Sequence, residues 1–330
     1  MEETWMKAII TALCALGMIT GAAQQAFSQD VLKVAIPQRG AWDAGLADLG
    51  ERGGIFKKHG LKLDILYTQA GPESIQAVIG GSIDIATASG VSAAVGTFAK
   101  GAPIRIIGSE MIGAPDLYWY VPTASPIKKI EDFNGKTVAF SLTGSSSHAA
   151  LLALIAQYKL TAKPTSTGNI AATITQTMTG QVDVGFGAAP FGLDLAEDGK
   201  IRIIATGSDV ASLGSRSVRV NVTNVNTIKT RPDVLVRFNR AYQETVEWMY
   251  SDPAALKHYA EYSNLPEKIV LRVRSLIPKE NLATGKVEGM DAIMADAVAG
   301  KFIPAPLTPE QVKELIQIPA TLDDRRQFRR

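Results

Sequence analysis

The sequence predicts an α/β protein of two similarly built lobes, each a mixed, mainly parallel sheet flanked by helices. Three observations predict it. Short β-rich runs alternate with helical runs over the first two thirds of the chain, joined by brief connections. One stretch then recurs: "GGSIDIATASG" followed by "KGAPIRIIGS" returns as "TGQVDVGFGAA" followed by "DGKIRIIATGS". Asp84 and Asp183 stand 99 residues apart, and Arg105 and Arg202 stand 97 apart, so the repeat is nearly in register. The final third, from "RPDVLVRFNRAYQETVEWMYSDP" onward, has helical periodicity and no clear strand.

The elements follow in order. "VLKVAIP" alternates and is β-rich, a strand ending at Pro37. "AGLADLGERGGIFKKHG" predicts one helix stopped by Gly60. "LKLDILY" is a second strand, and "GPESIQAVIGG" a helix with Pro72 in its first turn. "SIDIATA" is a third strand, "GVSAAVGTFAKG" a small-residue helix and "PIRIIGS" a fourth strand. The second round runs through the strand "GKTVAFS", the helix "SSSHAALLALIAQYKL" and the strand "QVDVGFG". It closes with a helix through "AEDGK" and the strand "IRIIATGS". Joints are expected at "YWYVPTASP" (118–126) and near "SVRVNVTN" (217–224). Two crossings make the first lobe discontinuous: residues 30–121 and 220–320 form lobe 1, and residues 122–219 form lobe 2.

The ends read differently from the body. Residues 1–28, with one Lys, an apolar run and small residues before a cut after Ser28 or Gln29, have the layout of a cleaved signal peptide. Glu2 and Glu3 fit a positive n-region poorly, so Met6 is an alternative start. The run from Ala8 to Ala23 is short for the ~20 residues of a membrane span. Cys14, the only cysteine, lies inside it, so the mature chain has no disulfide or thiolate chemistry. Leu13 next to Cys14 does not match a lipoprotein signal. The expected location is the periplasm.

The composition, 46% apolar and 20% charged over 330 residues, is that of a globular protein with two cores. Net charge is +2, but the tail "RRQFRR" holds four arginines, and the body between leader and tail is close to neutral. There is no basic field to attract nucleic acid. The tail, residues 321–330, reads as a solvated end.

In open α/β sheets ligands bind beyond the carboxyl ends of the strands. Those ends are "PQRGAWDAG" (37–45), "TQAG" (68–71), "TASG" (87–90), "SLTGSSSH" (141–148), "STGN" (166–169) and "GAAPF" (187–191). They are rich in Ser, Thr, Gly, Asn and Gln. The loop 141–148 opens a helix, where orphan amides and the helix dipole favour an anion or a carbonyl oxygen. An N-cap explains one hydroxyl, from Ser145 or Ser146. It does not explain Ser141, Thr143, Ser145, Ser146 and Ser147 together, so Thr143, Gly144, Ser145, Ser146 and His148 are ligand-binding candidates. Trp42 is a candidate stacking surface or pocket wall, flanked by Arg39 and Asp43. Ser89 follows the third strand beside Gly90. Asn169 is a candidate contact and also a natural turn residue. Ala188, Pro190 and Phe191 are placed at the cleft wall. Arg216 and Arg219 near the second joint are further cations.

The constellations of catalysis are missing. Asp84 and Asp183 occupy matching positions in apolar strands, which argues for a repeated structural role. His59, His148 and His258 have no partner at metal-ligand spacing. "GFGAAP" has Pro190 where a dinucleotide fingerprint needs its third Gly. There is neither a G-x-S-x-G elbow nor a Walker A loop. No metal or cofactor is expected.

The segments "GGIFKKHGLKLDI", "IQAVIGGSIDIATAS", "IEDFNGKTVAFS…GSSSH" and "TQTMTGQVDVGF", in this order and spacing, resemble a type II periplasmic substrate-binding protein of an ABC importer. The resemblance spans about residues 31–320 and is to the nitrate/sulfonate/taurine group, which shares its fold with the thiamine-pyrimidine synthases. It implies a hinge, a ligand between the lobes and closure on binding. The ligand would be a small anionic or polar organic molecule, of sulfonate, nitrate or carboxylate type. The partner would be a membrane permease, and the protein a monomer without enzymatic activity. The alternatives are a pyrimidine-precursor-binding protein or a synthase-like enzyme on the same fold. Enzymes of that kind use pyridoxal phosphate on a lysine, a donated histidine and a cysteine-rich iron motif. A mature chain without cysteine departs from that pattern.

Overall fold

The computed structural model describes residues 29–282 and 284–319. The segment expected to be a signal peptide and the arginine tail lie outside the described residues. Two sheets organise the rest. The first has the order β2-β1-β3-β10-β4, built from β1 (Asp30–Pro37), β2 (Leu61–Thr68), β3 (Ile85–Gly90), β4 (Ile104–Ile112) and β10 (Ser217–Asn224). The second contains β5 (Leu117–Pro122), β6 (Thr137–Phe140), β7 (Lys163–Ser166), β8 (Gly185–Ala188) and β9 (Ile201–Thr206). Its strands pair as β8-β5-β9 and β6-β7, and a parallel bridge between Val138 and Val184 joins the two groups. The resulting order, β7-β6-β8-β5-β9, repeats the first sheet's plan.

Both sheets are mixed in the same way. In each, three strands are mutually parallel, and a strand antiparallel to its two neighbours is inserted fourth. Four of five strands therefore share one direction. The reversed strand is supplied by a crossing: β5 enters the second sheet on the way out, and β10 enters the first on the way back. The crossings thus lie between Ile112 and Leu117 and between Thr206 and Ser217. This corrects the joints expected from sequence. "YWYVP" is a strand paired on both sides, so lobe 2 begins at Leu117 rather than at 122. Lobe 1 resumes at Ser217 rather than at 220.

The aspartates in the repeated segments mark the duplication. Asp84 accepts the amide of Lys33 on β1 at 2.8 Å, and Asp183 accepts the amide of Thr137 on β6 at 2.8 Å. Each ties the third strand of its lobe to the first.

The single helix expected up to Gly60 is two: α1 (Leu46–Arg52) and α2 (Ile55–Lys58). Gly54 between them has φ 72°, a left-handed conformation that ends a helix. The remaining helices of the first round are α3 (Gly71–Ile79) and α4 (Val91–Ala99). Lobe 2 carries α5 (Ser146–Tyr158), α6 (Ile170–Met178) and α7 (Leu193–Glu197). The last third is helical: α8 (Val225–Thr230), α9 (Pro232–Ser251), α10 (Pro253–Ser263), α11 (Glu267–Leu276), α12 (Met290–Ala299) and α13 (Pro309–Leu315). In α9, Val234, Leu235, Phe238, Ala241, Tyr242, Thr245, Val246 and Met249 are buried, the i, i+3/i+4 stripe of a one-sided helix. Phe238 lies against Phe56 and Tyr242, so its truncation to Ala would cost roughly 3–5 kcal/mol. These helices complete lobe 1 and leave the carboxyl ends of β1 and β3 facing lobe 2.

A candidate ligand site between the lobes

The loop 141–148 assigns each hydroxyl a different task. Ser145 is the N-cap of α5 and accepts the amide of His148 at 3.2 Å. Ser147 bonds back to the amide of Ser141 at 3.1 Å and to its hydroxyl at 3.0 Å, closing the loop on itself. Thr143 is exposed and lies outside the chamber. Gly144, with φ 86°, turns the chain against Ala93 of lobe 1. Ser146 reaches across: its Oγ accepts from Arg219 Nε on β10 at 3.1 Å.

The lobes meet closely here. A Cβ on Gly90 would lie 2.8 Å from both the Gly144 carbonyl and the Ser146 amide. Only glycine lets the end of β3 seat against the serine loop. Beside this contact an inner chamber of about 30 Å³ is lined by Asp43, Gly71, Ser145, Ser146, Ser147 and Arg219, among others. That is enough for one or two waters or a compact polar group. The N-termini of α3 and α5 both open on it, and their first-turn amides have no partner within the helix. Two helix ends and a row of hydroxyls favour negative charge or an acceptor oxygen.

Behind this wall is a buried charge cluster. Arg219 Nη1 meets Asp43 at 2.8 Å, and Nη2 meets Asp116 at 2.7 Å. All three are at least 95% buried. Burial opposes the charge on Arg219, but Asp116 and Asp43 more than offset it, so the guanidinium stays protonated. Burial raises the Asp43 carboxyl above its ordinary value; Arg219 opposes the rise and Asp116 adds to it. Glu110 completes the cluster. It too is fully buried, and burial pushes its carboxyl well above the usual range, with Asp43 reinforcing the effect.

Toward the surface, Gln38 leads into an outer compartment of about 300 Å³. Arg39, Tyr67 and Gln69 wall it from lobe 1; Asn169, Ile170 and Phe191 wall it from lobe 2. The Arg39 guanidinium lies 5.2 Å from the Tyr67 ring centroid, a cation–π contact that aims it along the mouth. Asn169 caps α6 through Oδ1, and its Nδ2 donates to Gln69 Oε1 at 2.7 Å across the cleft. Farther out, Glu197 of lobe 2 pairs with Lys268 at 3.1 Å and Arg272 at 2.9 Å. The lobes are closed on one another.

The structure thus brings Asp43, Ser145, Ser146 and Arg219 together at the inner chamber, with Gly144 backing it, and Arg39, Asn169 and Phe191 at the mouth. Four expected contacts and the further cation Arg216 take other places, in addition to Thr143. Trp42 has no exposed surface: its Nε1 donates to Tyr250 at 3.0 Å and its ring meets Tyr259 edge-on at 4.7 Å. It packs beneath the cleft floor instead of stacking on a ligand. His148 is stacked on Phe140 at 4.0 Å and touches Phe302 of lobe 1 edge-on at 5.4 Å. Its Nδ1 accepts the amide of Gly144, so it braces the loop. Burial lowers its pKa to about 4, and it is neutral near pH 7. Ser89 points back to the Thr87 carbonyl, and only its neighbours Ala88 and Gly90 line the chamber. Ala188 is a buried strand residue, and Phe186 takes the wall position instead. Arg216 pairs with Asp296 away from the chamber.

Sequence reasoning passed over Glu110 and Asp116. Two acids in the mainly apolar run "IRIIGSEMIGAPDLYWY" were the available signal.

Two α/β lobes, two crossings and a closed polar chamber between them define a two-lobed binding-protein fold. A family model described as "NMT1/THI5 like" matches residues 49–256, and the chain belongs to that family. Among solved structures it is similar to the alkanesulfonate-binding protein SsuA from Xanthomonas axonopodis pv. citri, bound to MOPS. That match has a TM-score of 0.73 at 20% identity and covers 88% of this chain and 98% of that one. It is also similar to the periplasmic aliphatic sulphonate binding protein SsuA from Escherichia coli, with a TM-score of 0.71 at 21% identity, covering 89% and 94%. A third match is the periplasmic nitrate-binding protein NrtA from Synechocystis PCC 6803, with a TM-score of 0.67 at 13% identity, covering 88% and 86%. Among curated proteins no sequence match is found.

Proposed function

We propose that the chain is the extracytoplasmic solute receptor of an ABC importer. It binds a small organic ligand through an anionic or acceptor-bearing head, closes over it and presents the closed form to a membrane permease. The observation that carries this reading is the inner chamber, where a serine loop and helix end of lobe 2 face Arg219 and a helix end of lobe 1. A ligand touching both sides favours the closed state by its differential affinity. The printed names of the structural neighbours, sulfonate- and nitrate-binding proteins, support the same class. The leader supports export to the periplasm, with residues 117–206 as lobe 2 and the flanking segments as lobe 1. The receptor acts as a monomer and performs no chemistry.

The two compartments favour an organic ligand over an inorganic ion. Nitrate would occupy the inner chamber alone and leave the outer compartment to water. An organic sulfonate or carboxylate places its head inside and its body over Phe191 and Ile170, with Arg39 at the mouth.

The test is a thermal-shift screen of residues 29–330. The panel contains nitrate, sulfate, taurine, alkyl and aryl sulfonates, aromatic carboxylates, bicarbonate and pyrimidine precursors. A ligand at ~100 times its Kd stabilises by about 2.7 kcal/mol, a shift of several degrees. Stabilisation by organic anions beyond that by nitrate or sulfate supports the reading. A response confined to neutral or cationic compounds overturns the anionic head.

A further inference from the structure

Glu110 has no role in the site as described so far, yet among the described residues it is the one acid with both carboxyl oxygens buried and unpartnered. Neither of its carboxyl oxygens has a hydrogen-bond partner among the described residues, and its side chain is fully buried. It owes its direction to a β-bulge. Between Arg219 and Val220 on β10, the partner strand β4 steps from Met111 to Ser109, leaving Glu110 as the extra residue.

The groups whose charge or ionisation is felt by Glu110 come from four elements. They are Asp43 from the loop after β1, Arg219 from β10, Asp116 from the first crossing and Tyr242 from α9. Arg219 is the single cation among them, and its guanidinium is already shared by Asp43 and Asp116. The cluster therefore holds three carboxyls for one guanidinium. A buried carboxylate without a donor is better off as the neutral acid.

We propose that Glu110 is a specificity-determining acid of the cleft: an anionic head is captured while Glu110 carries its proton, so that ligand binding and protonation of Glu110 are linked. This rests on the receptor reading above. Asp43 and Arg219, whose charges act on Glu110, also line the inner chamber. An anion placed there adds a negative charge to a cluster already rich in carboxyls. With Glu110 neutral, Arg219 and the two helix ends offset the charge of the head. With Glu110 ionised, the head faces an uncompensated carboxylate through a dry wall. Bound anion thus holds the proton in place, and rising pH competes with the ligand. The same arithmetic disfavours a doubly charged head such as sulfate against a singly charged one of similar shape.

Two measurements test this. Infrared spectroscopy at neutral pH should show the carbonyl stretch of a protonated carboxyl that disappears in Glu110→Gln, with or without ligand. No such band in the wild type overturns the proposal. Isothermal titration with methanesulfonate and with the strongest organic anion of the screen, from about pH 6 to about pH 9, reads the linkage. Wild-type affinity should fall with pH, approaching tenfold per unit for one linked proton, with heats that depend on the buffer's ionisation enthalpy. Glu110→Gln should flatten the pH dependence. The wild-type series stands on its own if the variant does not fold. Affinity independent of pH in the wild type, or a slope unchanged in Glu110→Gln, overturns the linkage and leaves the receptor reading intact. Failure of every anion to bind overturns both.

Discussion

Arg219 and Ser146 are 73 residues apart in sequence and belong to different lobes, yet Arg219 Nε donates to Ser146 Oγ at 3.1 Å. Arg219 is held by Asp43 and Asp116, so it is a fixed post. Ser146 is the movable end, carried on the first turn of α5. The neighbouring Ser145 differs: it caps the helix and bonds to Ser147 at 3.0 Å within lobe 2. Ser146→Ala should therefore weaken ligand binding about tenfold while changing stability by under about 1 kcal/mol, as one modest hydrogen bond implies. Ser145→Ala should lower stability by about 1 kcal/mol through the lost cap. Urea unfolding beside isothermal titration separates the two. Equal effects of both substitutions on both readouts would show that the loop is one structural unit without a division of labour.

Gly90 supplies a steric test of closure. Its hydrogen faces backbone of the opposite lobe, which cannot swing aside as a side chain can. Gly90→Ala should hold the lobes apart, with little effect on the folding of either. Small-angle scattering with and without ligand should show compaction in the wild type and none in the variant, and affinity should fall tenfold or more. A variant that still compacts would mean that the loop and β3 separate in the ligand-bound form.

Much of this architecture is legible in the sequence because it depends on local pattern. The duplicated "SIDIA" and "QVDVGF" segments announce two lobes, and the structure gives their aspartates the same bond to the first strand. The serine loop is legible because caps and helix ends follow short-range rules. Arg219 is different. In "SVRVNV" it alternates like any strand residue, and its partner Asp43 is 176 residues away. Only the return crossing brings the two together. Glu110 is hidden for a second reason: a one-residue bulge sets its facing, and periodicity does not reveal a bulge. Trp42 was misplaced because a loop aromatic next to charged residues looks exposed. The helices of the last third fold over it and supply Tyr250 and Tyr259 as its neighbours.

Trp42 consequently carries a stability prediction. Its indole donates to Tyr250 and packs edge-on against two tyrosines. Trp42→Phe removes the donor and part of the ring area, which should cost roughly 1–3 kcal/mol. Ligand affinity should change less than threefold. The part of the fluorescence lost in Trp42→Phe should respond weakly to ligand, since this ring is dry in the closed form. A large affinity loss at unchanged stability would place Trp42 in the site after all.

His148 makes stability depend on pH in a definite direction. Burial between Phe140 and Phe302 lowers its pKa to about 4 in the folded protein, against an ordinary 6.5. Between those values the unfolded chain binds the proton and the folded one does not, so stability rises with pH. Acidification from about pH 6.5 to about pH 4 should therefore progressively lower the melting temperature. The charge would also fall on the ring nitrogen that accepts the Gly144 amide, so the serine loop should loosen with it. His148→Asn can offer an acceptor oxygen to the same amide and cannot take the proton in this range. It should start from a lower melting temperature, because the stacked ring is gone, and lose less on acidification than the wild type. Melting curves of both proteins across this range decide the matter. Parallel decline in the two would show that His148 is not the source; Asp183 and Glu244, whose pKa values are lowered by their hydrogen bonds and ion pairs, lose their contribution only below the ordinary carboxylate range, at the acid end of this window.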